Sequence, residues 1–338
     1  MANHPHIKFV LPDRTYQGLT RSELKKMAEA AGFTGHRLGE VEIVIAEITS
    51  NLVKHATKGG MILARIVVKP APGIEFISID NGPGMNKPAQ MLEDGVSTSQ
   101  TLGQGLGAIR RLSSLFDLYS QPSWGTLLYS RLYIDRSFIA PAGSLSFSGI
   151  SVCKKNETVC GDLWGLNLYD SKFRIMMIDG LGHGIAANTA ARQGLDAFLE
   201  IPKISPVEQL RVLHDKLKRT RGGVVTIVYI DDVNNQMKYC GVGNITMKLV
   251  SSSRSHGCLS YNGIVGHIMP ASLNDHILKI DKKTDTLILH SDGLSARWDI
   301  AKYPGIFQNQ GIILCAALYK DFDRNNDDST IVVAKFVK

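Results

Sequence analysis

The chain of 338 residues is longer than one hydrophobic core usually organises, so two domains are expected. With 44% hydrophobic and 20% charged residues, no apolar run near the roughly 20 residues of a membrane-spanning helix and no secretory-type leader after Met1, it reads as a soluble, cytoplasmic globular protein. The net charge of +7 is scattered rather than gathered into a basic patch, and the five cysteines form neither a C-x-x-C pair nor a regular frame, so nucleic acid, disulfide scaffolding and a zinc site are not expected.

In chain order, Leu38, Val41, Ile45, Ile48 and Leu52 recur at three- and four-residue steps and predict an amphipathic helix over Arg37–Lys58, stopped by Gly59-Gly60. Two strands, Met61–Lys69 and Gly73–Asp80, follow around a Pro-Ala-Pro-Gly turn. A glycine-rich stretch from Gly103 to Gly107 opens a second helical run through Phe116, and Asp117–Ser120 and Gly125–Tyr133 read as further strands. Glu47 and Asn51, four residues apart, share one side of the first helix. Asp80 ends a strand, with Gly82 and Gly84 behind it where backbone must approach a ligand closely, and Gly103, Gly105 and Gly107 precede a helix start that suits phosphate.

A Pro-, Ala-, Gly- and Ser-containing stretch over residues 135–146 marks the boundary: residues 1–136 form one domain, 137–145 a linker and 146–338 a second domain. Strands are expected at Gly165–Tyr169 and Phe173–Ile178, helices over Gly184–Phe198 and Pro206–Arg219, then strands at Val224–Ile230, Gln236–Cys240, Ile245–Val250, Thr286–His290 and Thr330–Phe336. Phosphate monoester hydrolysis is slow enough to call for cations, and hard cations call for carboxylates. Asp162, Asp179, Asp292 and Asp327 stand in suitable settings, Asp179 and Asp292 each between an apolar strand and a glycine.

The N-terminal order of E-x-x-x-N on a helix, D-x-G-x-G after a strand and G-x-G-x-G before a helix resembles the gyrase, chaperone, histidine-kinase and mismatch-repair ATPases over about Ile7–Tyr133. The phrase Asp80-Asn81-Gly82-Pro83-Gly84-Met85 is similar to the anti-sigma-factor serine kinases. The resemblance implies ATP as ligand, Asn51 on the Mg²⁺ that bridges its phosphates, Asp80 accepting from the adenine amino group, and Gly82 and Gly84 under the adenine. It also implies Gly103, Gly105 and Gly107 over the phosphates, Glu47 as base, and a mobile lid between Met85 and Thr101.

The C-terminal half resembles the PPM-type serine/threonine phosphatases of the sporulation stage II and stress-response branch, through Val-Cys-Gly-Asp-Leu-Trp, Gly-Val-Gly-Asn, Leu-His-Ser-Asp-Gly-Leu and Asp-Asp-Ser-Thr-Ile-Val-Val. This implies two Mn²⁺ or Mg²⁺ ions. Asp179 would bridge both, the Gly180 carbonyl and Asp162 would complete one site, and Asp292 with Asp327 would hold the other, Asp328 being the alternative to Asp327. Larger relatives place His directly after Asp-Gly, where this chain has Leu181, so His183 and His267 are the alternative acids.

Together the resemblances imply an α+β protein: an N-terminal two-layer α/β sandwich of the Bergerat type, then a four-layer αββα phosphatase domain. The function they imply is a kinase and phosphatase acting on a phosphorylatable anti-sigma-antagonist (STAS) partner, with sigma-factor regulators as further partners. A phosphatase tuned by ATP at a non-kinase domain and a non-catalytic scaffold are the alternatives, and the presence of Glu47 favours the first reading.

Overall fold

The computed structural model describes residues 4–56, 59–88, 105–139, 143–169, 172–201 and 204–337. Its internal contacts divide the chain into two compact units, one built mainly of Gly143–Lys302 and Leu318–Lys338, the other of His6–Ala142 with Tyr303–Ala317.

The unit that holds most of the N-terminal half runs β1 (Ile7–Leu11), α1 (Gln17–Ala30), α2 (Gly35–His55), β2 (Gly60–Val67), β3 (Gly73–Asp80), α3 (Gly105–Leu112), β4 (Leu115–Gln121) and β5 (Gly125–Tyr133). The strands form one antiparallel sheet in the order β1-β2-β3-β5-β4. The apolar stripe of α2 (Val41, Val44, Ile45, Ile48, Leu52) packs with alternate strand residues Ile62, Ala64, Ile74, Phe76, Leu128 and Leu132, as period-2 side chains on one sheet face require. The intervening residues point the other way, and there Glu75 of β3 lies fully buried between Arg65 of β2 and Arg131 of β5, with His6 Nε2 at 3.0 Å.

The helix expected through Phe116 ends instead at Leu112. Ser113 turns its hydroxyl back to the Ile109 carbonyl, and Phe116 already pairs with Ser130 in the sheet. The elements β1 and α1 lack a sequence expectation: α1 buries only Thr20, Leu24 and Ala28, a stripe with one large aliphatic side chain.

The C-terminal elements are β6 (Leu145–Val152), β7 (Asp162–Tyr169), β8 (Lys172–Gly180), α4 (Gly184–Glu200), α5 (Pro206–Leu217), β9 (Gly223–Asp231), β10 (Gln236–Val242), β11 (Thr246–Val250), β12 (Ser255–Gly257), β13 (His276–Lys279), β14 (Thr286–His290), α6 (Gly311–Phe322) and β15 (Ser329–Phe336). They build two five-stranded antiparallel sheets, β13-β10-β9-β8-β7 and β12-β11-β14-β15-β6. Trp164, Ile175, Met177, Val228 and Ile230 from the first meet Met247, Leu249, Leu287, Leu289, Val332 and Ala334 from the second in one core.

The alternate residues Met176, Ile178, Val225 and Ile227 pack instead with α4 and α5. Both faces of β8 and β9 are thus buried, which is why these strands read as nearly unbroken apolar runs. The start of α5 follows its sequence: Ser205 and Glu208 make a reciprocal capping box, with Pro206 in the first turn.

Candidate active sites

In the N-terminal unit, α2 sets Glu47 and Asn51 one turn apart, both half-buried. The first residue of α3 lies against them: a Cβ on Gly105 would stand 2.5 Å from Glu47 Oε2 and 4.0 Å from Asn51 Oδ1. The helix start thus meets the Glu47 carboxylate closely, and a side chain at residue 105 would push that carboxylate aside. Asp80 closes β3 with Oδ1 accepting the Gly82 N–H (2.7 Å) and the Thr126 N–H (3.1 Å), so the turn after the strand is tied to its own carboxylate.

Gly82 lies against the His55 carbonyl, and Gly84 adopts φ +71° against the Gln121 carbonyl, a place and a backbone conformation closed to side chains. Gly107 is buried within α3. Gly103 and most of the expected lid lie outside the described residues.

The C-terminal aspartates are brought together. Asp162 and Asp179 are direct partners across β7 and β8. By strand alternation Asp162 shares the face of Trp164, and Asp179 that of Ile175 and Met177, so both carboxylates look into the mouth between the two sheets. The second sheet supplies Asp292 from the turn after β14 and Asp327 and Asp328 from the residues before β15.

Burial raises the Asp179 carboxyl to about 10, with Asp162, Asp292, Asp327 and Asp328 all adding to the rise. Asp162 is pushed up to about 7, first by burial and further by Asp328 and Asp292, and its Oδ2 is buried without a hydrogen-bond partner among the described residues. A crowd of oxygen donors with one orphaned atom fits hard divalent cations such as Mg²⁺ or Mn²⁺.

The two acids of the Asp327-Asp328 pair differ. Asp328 is buried with both oxygens taken, Oδ1 by the Lys154 N–H and Oδ2 by the Gly161 N–H, each at 2.7 Å. Asp327 is half-buried, and its Oδ1 accepts the Asp328 N–H at 2.9 Å.

Three supporting residues, Asn244, His290 and Glu157, carried no assigned role in the sequence reading, and the two candidate acids, His183 and His267, lie as follows. Asn244, the last residue of the quoted Gly-Val-Gly-Asn phrase, donates Nδ2–H to Asp292 Oδ2 at 2.9 Å. His290 is fully buried, gives Nδ1–H to the Ser291 carbonyl and accepts the Trp298 indole N–H, so it is held neutral, pushed down to about 4 by burial. Glu157 meets His183 Nδ1 at 2.6 Å; His183 stands exposed at the N-cap of α4 without capping it. His267 is exposed and gives Nε2–H to the Arg221 carbonyl.

Gly180 packs so closely on the Ala187 carbonyl of α4 that a Cβ would overlap it, which fixes the backbone beside Asp179.

Residues 169–337, 169 of the 338 in the chain, match the family model described as Stage II sporulation protein E (SpoIIE). The chain belongs to the SpoIIE family. In this SpoIIE-family chain, residues 11–128 match a second family model, the histidine kinase-like ATPase domain. The N-terminal part is similar to the serine/threonine-protein kinase RsbT of Bacillus subtilis (strain 168), 31% identical over 102 residues, which are 30% of this chain and 77% of RsbT. Another relative is the phosphoserine phosphatase RsbX of the same organism, 27% identical over 143 residues, 42% of this chain and 71% of RsbX.

Among solved structures, one described as the bacterial stressosome aligns with a TM-score of 0.53 and 23% identity over 57% of this chain and all of that one. RsbX in complex with magnesium aligns with a TM-score of 0.50 and 23% identity over 59% of this chain and 99% of its own. The SpoIIE-family chain thus joins a kinase-like ATPase domain to a PPM-type serine/threonine phosphatase domain in an α+β architecture. Among the described residues no helix is long and apolar enough to cross a membrane.

Proposed function

We propose that the chain is a bifunctional partner-switching regulator, an ATP-dependent serine kinase and a Mn²⁺- or Mg²⁺-dependent phosphoserine phosphatase that act on one anti-sigma-antagonist (STAS) type partner. The observation that carries the kinase half is the juxtaposition of Glu47 with the first residue of α3. ATP binding alone needs no carboxylate beside the phosphates, whereas transfer to a serine hydroxyl needs a base there. Asn51 would hold the Mg²⁺, Asp80 the adenine amino group, and Gly82, Gly84, Gly105 and Gly107, with Gly103, would admit the nucleotide.

In the phosphatase half, Asp162, Asp179 and the Gly180 carbonyl would hold one cation, and Asp179, Asp292 and Asp327 the other. When bound, the cations supply Lewis acidity and an activated water. Asn244 orients Asp292, and the backbone N–H groups of Lys154 and Gly161 keep Asp328 fixed behind the cluster. The resemblance of the two halves to a protein named as a kinase and a protein named as a phosphoserine phosphatase supports opposed activities in one chain.

The test compares partner phosphorylation by an Asp179→Asn protein and by the Asp179→Asn, Glu47→Ala double variant, each given ATP, Mg²⁺ and a STAS domain shown to bind. Phosphoserine accumulating with the single variant and absent with the double one is the expected result. Equal absence in both would leave the N-terminal domain as an ATP-binding regulator and remove the kinase.

A further inference from the structure

The turn from β6 to β7 carries two thiols that neither activity uses. Cys153 directly follows β6 and is half-buried; Cys160 is 1% exposed and stands two residues before Asp162. The Sγ atoms of both and a carboxylate oxygen of Asp328 all lie within 4.8 Å of one another. Asp328 is already engaged by the Lys154 and Gly161 N–H groups, so the reactive partners left in the cluster are the two sulfurs.

We propose that Cys153 and Cys160 are a modification site, a thiol pair that peroxides convert to a reversible disulfide, and that the disulfide turns the phosphatase site off. The regulatory half of this inference rests on Asp162 being a metal ligand, as read above. Cys153 is the accessible member. Its sulfur attacks a peroxide oxygen, the O–O bond breaks, and its proton leaves with the departing oxygen as water, giving a sulfenic acid. The Cys160 sulfur then displaces the sulfenic hydroxyl, the S–S bond forms, and that hydroxyl leaves with the Cys160 proton as a second water. Two thiols lose two electrons and one hydrogen peroxide gains them. A dithiol reductant reverses the step by exchange.

The bond length supplies the mechanical consequence. Bonded sulfurs stand about 2.05 Å apart, so closing the gap draws Cys160 toward the end of β6, where pairing with β15 runs from Leu145 to Val152. Gly161 moves with it, and its N–H is one of the two that hold Asp328. Asp162 is the next residue along the chain. The displacement falls on the strand end that presents the paired carboxylates Asp162 and Asp179.

The experiment treats the full chain with hydrogen peroxide, alkylates the remaining thiols, digests it and reads the peptides by mass spectrometry, with p-nitrophenyl phosphate hydrolysis in Mn²⁺ followed in parallel. The expected result is a Cys153–Cys160 link, lighter by two hydrogens, with activity falling by roughly tenfold or more and returning with dithiothreitol. Cys153→Ser, and Cys153→Ala in case the serine variant folds poorly, should keep activity through the same treatment.

Both thiols alkylated and unlinked after peroxide would overturn the proposal. So would a link that leaves hydrolysis unchanged, or Cys153 variants that lose activity as the parent does. If no form of the protein hydrolyses the ester, the phosphatase reading fails, and the mass spectrum still decides whether the thiol pair links.

Discussion

At the scale of single residues, the carboxylate cluster sets the energetics. Asp179 ionises near 4 in an unfolded chain and only at about 10 in the metal-free fold. A raised carboxyl contributes its full stability below the unfolded value and loses it as pH rises toward the folded one. Metal-free protein should therefore lose thermal stability between pH 6 and 8, and Asp179→Asn, which has no proton to lose, should lose less. Mn²⁺ should stabilise the parent more at pH 8 than at pH 6, because binding displaces protons. Scanning calorimetry at the two pH values checks this, and a metal effect independent of pH would refute it. The same variant should hydrolyse p-nitrophenyl phosphate at least about a hundredfold more slowly, as expected when a group that organises transition-state charge is lost.

Asp80 offers a second residue-scale test. Its Oδ1 accepts two backbone N–H groups, a duty that an Asn carbonyl oxygen performs equally well. Asp80→Asn should keep the fold and weaken ATP binding about tenfold or more, the scale of a lost charge-assisted hydrogen bond. Titration calorimetry measures it, and parent-like affinity would show that Asp80 does not meet the nucleotide.

Among the elements, β3 carries the most exacting position. Burial opposes ionisation of Glu75, yet the Arg131 and Arg65 guanidinium groups, with the His6 hydrogen bond, outweigh it and hold the carboxyl well below its ordinary value. Glu75→Gln should cost about 3–5 kcal/mol, since it leaves two buried guanidinium groups short of charge. Urea unfolding at neutral pH reads the loss. A depressed carboxyl gives stability that is present above the unfolded pKa and lost as pH falls toward the folded one. The difference between parent and variant should shrink below pH 4.5, the ordinary value for Glu.

The elements also show what sequence could and could not reveal. The α2 stripe was legible because it is a local pattern with a local cause, whereas the equally local α5 capping box went unread although the helix itself was expected from Pro206. By contrast, α6 was missed: nearly every residue of Gly311–Phe322 is buried, so no polar face interrupts the apolar run to mark a 3.6-residue period. The short β12 and β13 were missed as well, each being three or four residues and half-exposed or exposed. In the carboxylate cluster, the order of motifs named the aspartates, but the link from Asn244 to Asp292 joins residues 48 apart and exists only once β11 and β14 pair.

For the molecule as a whole, opposed activities in one chain have a measurable signature. With ATP, Mg²⁺, Mn²⁺ and a STAS partner, the parent protein should release phosphate continuously, each turn adding a phosphoryl group to the partner and removing it. Asp179→Asn should consume about one ATP per partner serine and stop, because only the forward step remains. A phosphate-release assay with partner phosphorylation counted by mass spectrometry distinguishes the two. Continuous release by the variant would mean that the ATP is hydrolysed without passing through the partner.

The pairing of Asp162 with Asp179 makes the C-terminal site a matter of counting. Side chains on a strand alternate in direction, so one extra residue in β7 between Asp162 and Leu166 would turn Asp162 to the opposite face while the rest of the strand kept its place. Such a protein would retain every aspartate, every glycine and every motif in order, and Asp162 would no longer stand beside Asp179. The carboxylates are written in the residues, but the arithmetic between them, an unchanged number of positions from one carboxylate to the next around the hairpin, carries equal weight. Deletions and insertions there should be as damaging as loss of the aspartates themselves.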